Sequence, residues 1–368
     1  MENTGISQSR NYGLDILKFI SMVYVVILHS FGEGGIIDGC SGFRLVIALL
    51  AFFWTSSAVD IFALVTGYVS YTDVYKPLNR KRIFDMWFQV VFYGLVITAV
   101  FNLFFPDKVK PSNYFISVFP LFNNEYWYYT SYFLVYLISP FINSAIRNSS
   151  ELLMKKSLII VIVFFSIFVV FANSLSIEQS LSFTWILMMY FIGAVLKKCH
   201  IGEKVSSVKL IIGIIVCNIF IWDWYTFLPD ISFGNISWTG GMMSDYDSPV
   251  VLMSAICHLL LFRKIKVGPK AAKIICFFSP CVFATYLINA NPLFYYKFMD
   301  NCFEPLLGLN IFVLSLIVVM GAVVFTICSC LIDKIRILLF RLVRIDKLTK
   351  ILVIISDKIL YKLIRLTK

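Results

Sequence analysis

The sequence predicts an all-α integral membrane protein, about ten transmembrane helices in one bundle followed by an amphipathic helical tail. Three observations carry that expectation. Hydrophobic residues make up 60% of the 368 and charged residues only 14%, against about 25% charged in an ordinary soluble domain. A succession of apolar segments is long enough to span a bilayer. The basic residues also fall almost entirely on one side of those segments.

The segments run over 16–33, 46–70, 83–105, 126–146, 157–173, 181–197, 208–226, 248–264, 273–290 and 309–332. With the N-terminus placed in the cytoplasm, only Arg44, Lys108, Lys110 and Lys297 of the 32 Lys and Arg fall outside. The positive-inside rule then puts both termini in the cytoplasm of a plasma or inner membrane, with membrane lipid as an obligatory partner. The net charge of +11 lies against the anionic inner leaflet, so it calls for no nucleic acid.

The first segment, from Arg10 to Ser30, holds three ionisable groups in unusual places. Asp15 and Lys18 stand near its start, and His29 follows eleven residues after Lys18. Eleven residues are about three helical turns, so Lys18 and His29 share a face about 16 Å apart along the axis. Asp15 and Lys18 also have a plain reading, as an ion pair at a helix start and a snorkelling lysine. His29 lies deep under a Gly-rich outer loop and is suited to take a proton near neutral pH. With no charged n-region before it and no cleavage pattern after it, this segment reads as a retained span.

The second segment buries Asp60, which needs a partner or a proton and is a candidate to orient His29 or Lys18; a structural interhelix hydrogen bond is the alternative. Gly67 follows and allows close helix approach. The third segment opens on Asn79-Arg80-Lys81-Arg82, a stop signal by topology or a phosphate site by chemistry. The fourth opens on Tyr126-Trp127-Tyr128-Tyr129-Thr130-Ser131-Tyr132. This run suits sugar stacking at the outer end or a simple interfacial aromatic belt. The same pair of readings applies to Asn123, Asn124 and Glu125 and to the 227–247 loop, with Asp230, Asn235, Trp238, Asp245 and Asp247. His258 and His200 read as structural. The nine Cys lie mostly in apolar runs without a CxxC pair; Cys40 and Cys302 fall in outer loops, and whether they pair stays open. No metal-ligand spacing, P-loop or GxSxG occurs, so no metal is expected. Residues 333–368 mix Ile and Leu with Lys and Arg at helical spacing. They read as a basic amphipathic tail on the cytoplasmic face, after a membrane domain over 1–332.

Four stretches resemble the acyltransferase 3 family of integral membrane acyltransferases. These are Leu14-Asp15 with Lys18 and His29, FALVTGY from Phe62 to Tyr68, Tyr126-Trp127 through Tyr136, Ser139, Pro140 and Asn143, and ATYLINANP from Ala284 to Pro292. The resemblance covers residues 10–332. It implies His29 as the essential histidine and Lys18 as its basic partner. Arg82 matches one arginine of an Arg-x-x-Arg pair whose other position here is Asn79, and Asn289 stands where the family often has His. The implied reaction is O-acetylation, from cytoplasmic acetyl-CoA as donor co-substrate to a surface polysaccharide or lipid-linked sugar. Arg82, Arg80 and Lys81 would hold the donor, His29 with Asp60 or Asp15 would act as base, and Tyr126, Trp127 and Tyr132 would meet the acceptor. By physics alone, a transporter or flippase for a lipid-linked glycan fits the same spans and buried charges.

Overall fold

The computed structural model describes residues 10–122, 126–172, 181–228, 230–233 and 236–366. Asn123, Asn124, Glu125 and Asn235 lie outside them. Every expected segment falls on helix, and the bundle is built around the first. Helix α1 (Tyr12–Phe31) is capped by Asn11, whose side chain accepts from the Leu14 amide at 3.2 Å. It ends at Gly32, where the Gly-rich loop begins.

The second segment is broken. Helix α2 (Gly42–Phe53) and helix α3 (Ala58–Ser70) flank Trp54–Ser57. The Thr55 and Ser56 hydroxyls bond back to the Phe52 and Phe53 carbonyls at 2.7 and 2.8 Å. The same carbonyls also accept the Thr55 and Ser56 amides, at 3.0 and 3.3 Å, so the break keeps its polar groups paired internally, as a membrane interior requires. Then come α4 (Arg80–Phe104), α5 (Pro111–Val118) and α6 (Trp127–Asn148). Pro140 inside α6 has no N–H for the Tyr136 carbonyl, and the Ser139 hydroxyl takes that place at 2.8 Å. The chain continues through α7 (Glu151–Ile162), a π-helical stretch (Val163–Phe168), α8 (Val169–Ala172), α9 (Phe183–Lys198) and α10 (Ser207–Phe227). A two-stranded hairpin, β1 (Ile231–Phe233) and β2 (Ile236–Trp238), precedes α11 (Pro249–Phe262), α12 (Pro269–Phe278), α13 (Phe283–Asn289) and α14 (Pro292–Phe294). Two long helices close the chain, α15 (Ile311–Leu342) and α16 (Ile345–Leu366).

Helix α1 packs on α3, α11 and α15, and α9 packs on α3 and α6. The α3–α9 crossing is a backbone contact. A Cβ on Gly67 would lie 2.0 Å from the Tyr190 carbonyl oxygen, and one on Gly193 would lie 2.2 Å from that of Leu64. Small residues let the helices approach this closely, as Gly67 leads one to expect.

By length and composition, five of the described helical segments can cross a membrane, or six if the bent pair across α12 and α13 (41°) counts as one span. The protein is a helical membrane bundle, but the expected ten crossings are not reached by this measure. Helix α9 has 16 residues and α11 has 14, α7–α8 is interrupted, and α6 is comparatively polar. Helix α15 also runs through residue 332 without a break, carrying Asp333 and Arg336 into the bundle interior. The amphipathic helix proper is α16. Cys40 and Cys302 are free thiols.

Candidate functional site

Two cavities meet inside the bundle. The inner one, about 330 Å³, lies toward the end where α1 begins and is lined by Lys18, Arg82 and Tyr132 among others. The other, about 50 Å³, lies toward the end where α1 finishes. Its walls include His29, Ala58, Val59, Trp127 and Tyr246. Phe62 and Tyr128 line both. Their rings meet edge to face at 5.8 Å and form the partition.

His29 is positioned from the far end of the chain. Its Nδ1 lies 2.5 Å from Asn289 Oδ1. Asn289 closes α13, and the turn after it is clamped twice. Asn291 caps α14 at the Leu293 amide (3.0 Å) and donates to the Tyr126 hydroxyl (2.9 Å), which itself donates to the Leu287 carbonyl (3.1 Å). Asn289 Nδ2 faces the Met299 sulfur at 3.2 Å, which assigns Oδ1 to the histidine. An amide oxygen only accepts, so Nδ1 carries the proton and Nε2 keeps its lone pair. The Tyr295 ring stands edge-on to the imidazole at 4.8 Å. Asn289 thus does for His29 what Asp60 or Asp15 was expected to do.

Both carboxylates are committed elsewhere. Asp15 pairs with Arg10 Nε at 2.6 Å and more loosely with Lys18 Nζ at 3.7 Å, at the start of α1 and far from His29. Asp60 is fully buried and accepts from Trp185 Nε1 at 2.9 Å, with its second oxygen unpartnered among the described residues. It touches neither His29 nor Lys18, and the structural reading of Asp60 is the one realised.

The three basic residues opening α4 take different partners. Successive helical residues point about 100° apart, and the three diverge accordingly. Arg82 faces the inner cavity, donating to the Tyr132 hydroxyl at 2.9 Å with its guanidinium 5.2 Å from the Tyr136 ring centre. Lys81 turns to Asp85 at 2.6 Å, and Arg80 pairs with Asp357 of α16. Asn79 caps the helix, accepting from the Arg82 amide at 3.3 Å.

The aromatic run of α6 divides in the same way. Trp127 lines the small cavity and stacks on Tyr246 at 6.4 Å. Tyr126 is a buried clamp, and Tyr132 belongs with Arg82 in the inner cavity rather than at the outer end. Tyr128, not singled out from the sequence, stands between the cavities with its hydroxyl buried and without a partner among the described residues. The long loop contributes Tyr246. The remaining histidines are structural: His258 Nδ1 lies 2.8 Å from the Ser254 carbonyl of its own helix, and His200 sits beside Glu203 in the loop after α9.

The break before α3 adds one more feature. Among the described residues the Val59 and Asp60 amides take no backbone hydrogen bond and the buried Ser57 hydroxyl has no partner. Ala58 and Val59 line the cavity of His29, so the first turn of α3 opens beside a histidine with free donors and the positive end of a helix dipole. A base, an anion-favouring helix end and a basic inner cavity form a set suited to acyl transfer.

Comparison with known proteins agrees with that chemistry. No curated protein and no solved structure matches. The family profile described as an acyltransferase domain matches residues 11–333, nearly the whole bundle, and the chain belongs to the acyltransferase 3 family of membrane acyltransferases.

Proposed function

We propose that this protein moves an acyl group, acetyl in the first instance, from cytoplasmic acyl-CoA to a hydroxyl of a cell-surface polysaccharide or lipid-linked glycan. The reading places it in the plasma or inner membrane with both termini in the cytoplasm. The observation that carries it is the pair of cavities meeting at Phe62 and Tyr128, with Lys18 and Arg82 in one and His29 in the other. Cations at the inner end suit a phosphate-bearing donor. A void of about 50 Å³ suits a two-carbon acyl group better than a long chain.

The chemistry follows from the residues. His29 Nε2 takes the proton of the acceptor hydroxyl as its oxygen attacks the thioester carbonyl. The carbon–oxygen bond forms, and negative charge gathers on the carbonyl oxygen. The free Val59 and Asp60 amides, in the turn of α3 that opens at the His29 cavity, are the donors this reading assigns to that charge. Collapse breaks the carbon–sulfur bond, and the imidazolium returns its proton to the thiolate. Trp127, stacked on Tyr246 in the wall of the His29 cavity, is the aromatic group placed to meet the acceptor.

The test is His29→Ala in the full chain, with expression verified by immunoblot and surface glycans weighed by mass spectrometry. Loss of acetyl groups is expected. Undiminished acetylation would remove His29 from the mechanism.

A further inference from the structure

A third cavity, about 450 Å³, lies between α4, α15 and α16, with Lys81, Arg336, Arg341 and Asp346 in its walls. It shares Met86 and Gln89 with the inner cavity that holds Lys18 and Arg82. The third void therefore adjoins the inner cavity, as the inner cavity adjoins that of His29.

The wall of this third cavity is built rather than incidental. Asp333 is fully buried on α15 and receives four hydrogen bonds. Two come from Arg336, Nε to Oδ1 at 2.6 Å and Nη2 to Oδ2 at 3.0 Å. The others come from the Tyr93 hydroxyl at 2.9 Å and Gln89 Nε2 at 3.2 Å. An apolar cluster would join α4 to α15 at no greater cost, since burying an ion pair rarely gains stability over well-packed hydrophobic residues. What the network adds is a guanidinium fixed in the cavity wall, with its remaining Nη1 free of hydrogen bonds among the described residues. Each carboxylate nearby has its own cation: Asp333 has Arg336, Asp85 has Lys81 and Asp346 has Lys350. Arg341 has no ion pair among the described residues and is the surplus positive charge. The Arg80–Asp357 pair holds α16 to α4 as part of this frame.

We propose that this cavity seats the phosphates of the donor's nucleotide end, with Arg336 and Arg341 as phosphate ligands and Gln89 at the passage to the inner cavity. The assignment rests on the acyl-CoA reading above. A phosphate could also come from an anionic lipid headgroup, but a headgroup has no need of a passage toward Lys18 and His29. The tail helix is then part of the donor site as well as an anchor.

The test uses the full chain in zwitterionic nanodiscs, with coenzyme A and its 3′-dephospho form as probes. Arg341→Gln, at an exposed position, and the conservative Arg336→Lys should each weaken coenzyme A binding roughly tenfold, the scale of a lost charge-assisted hydrogen bond. The loss should shrink for the dephospho form. Wild-type affinity in both variants, with weakened binding in Arg82→Gln, would overturn the seat while leaving the donor reading intact. No binding by the wild type would end both. In a second set of nanodiscs containing phosphatidylglycerol, loss of that bound lipid from the two variants in native mass spectra, with coenzyme A affinity unchanged, would make the cavity a headgroup site and overturn the proposal.

Discussion

Replacing Asn289 with Leu should impair turnover far more than folding or donor binding. The substitution keeps the number and branching of side-chain heavy atoms at a position that is 1% exposed. It removes the acceptor 2.5 Å from His29 Nδ1. A buried N–H left without an acceptor costs about 1–3 kcal/mol. The imidazole escapes that penalty by turning its ring or by moving the proton to Nε2, and either response takes the lone pair away from the acceptor hydroxyl. If the whole penalty falls on the reactive arrangement, the rate drops roughly 5- to 150-fold. The assay is free thiol released from acetyl-CoA by purified protein with glycan present, alongside donor affinity measured separately. Asn289→Asp restores an acceptor and should recover much of the rate, as should Asn289→His, the residue the family pattern often carries. Wild-type turnover in Asn289→Leu would refute the claim that this amide sets the histidine tautomer. Loss of donor affinity in place of turnover would refute it equally.

Two further outcomes test the scaffold. Gly193→Ala places a methyl group 2.2 Å from the Leu64 carbonyl oxygen, and neither backbone can rotate away. The α3–α9 crossing should separate and the protein should lose about 1–3 kcal/mol; an unchanged melting temperature in detergent would contradict the backbone contact. Glu203, in the loop after α9, is held below its usual 4.5 mainly by the hydrogen bond from Arg263. A depressed folded-state value means the tie is present at pH above the ordinary glutamate range and is lost as pH falls through the folded value. Thermal stability should therefore fall on acidification through and below pH about 4.5, and Glu203→Gln should flatten that part of the profile. An identical slope in the variant would remove Glu203 as its source.

Much of the first helix was legible because its information is local. The spacing of Lys18 and His29 follows from helix geometry, and the structure places them in two adjoining cavities. Gly67 announced a close crossing. The partners of the buried groups were not legible, because no local rule links His29 to a residue 260 positions on, or Asp60 to Trp185 125 positions on. Arg80, Lys81 and Arg82 are consecutive on a helix, so their side chains leave it in different directions, and the same helix geometry separates Tyr126, Trp127 and Tyr132. The Thr55-Ser56-Ser57 run in an otherwise apolar stretch was a readable sign of the break that exposes the α3 N-terminus. The number of crossings was least legible, because helices of 14 and 16 residues read as spans in the sequence yet fall below the length that a crossing ordinarily takes.

The meeting of Phe62 and Tyr128 bears on the membrane as well as on the reaction. An enzyme that takes its donor from one compartment and its acceptor from the other is a potential leak, since any continuous wet path would dissipate the ion gradients across the bilayer. The void beyond the aromatic pair, at about 50 Å³, has room for only a few waters, too little for an ion with its full hydration shell. On the reading proposed here, the same narrowing that admits a small acyl group keeps the bilayer electrically sealed while it does so. Widening it, as in Phe62→Ala, would then endanger the cell's ion gradients as much as the enzyme's choice of acyl group.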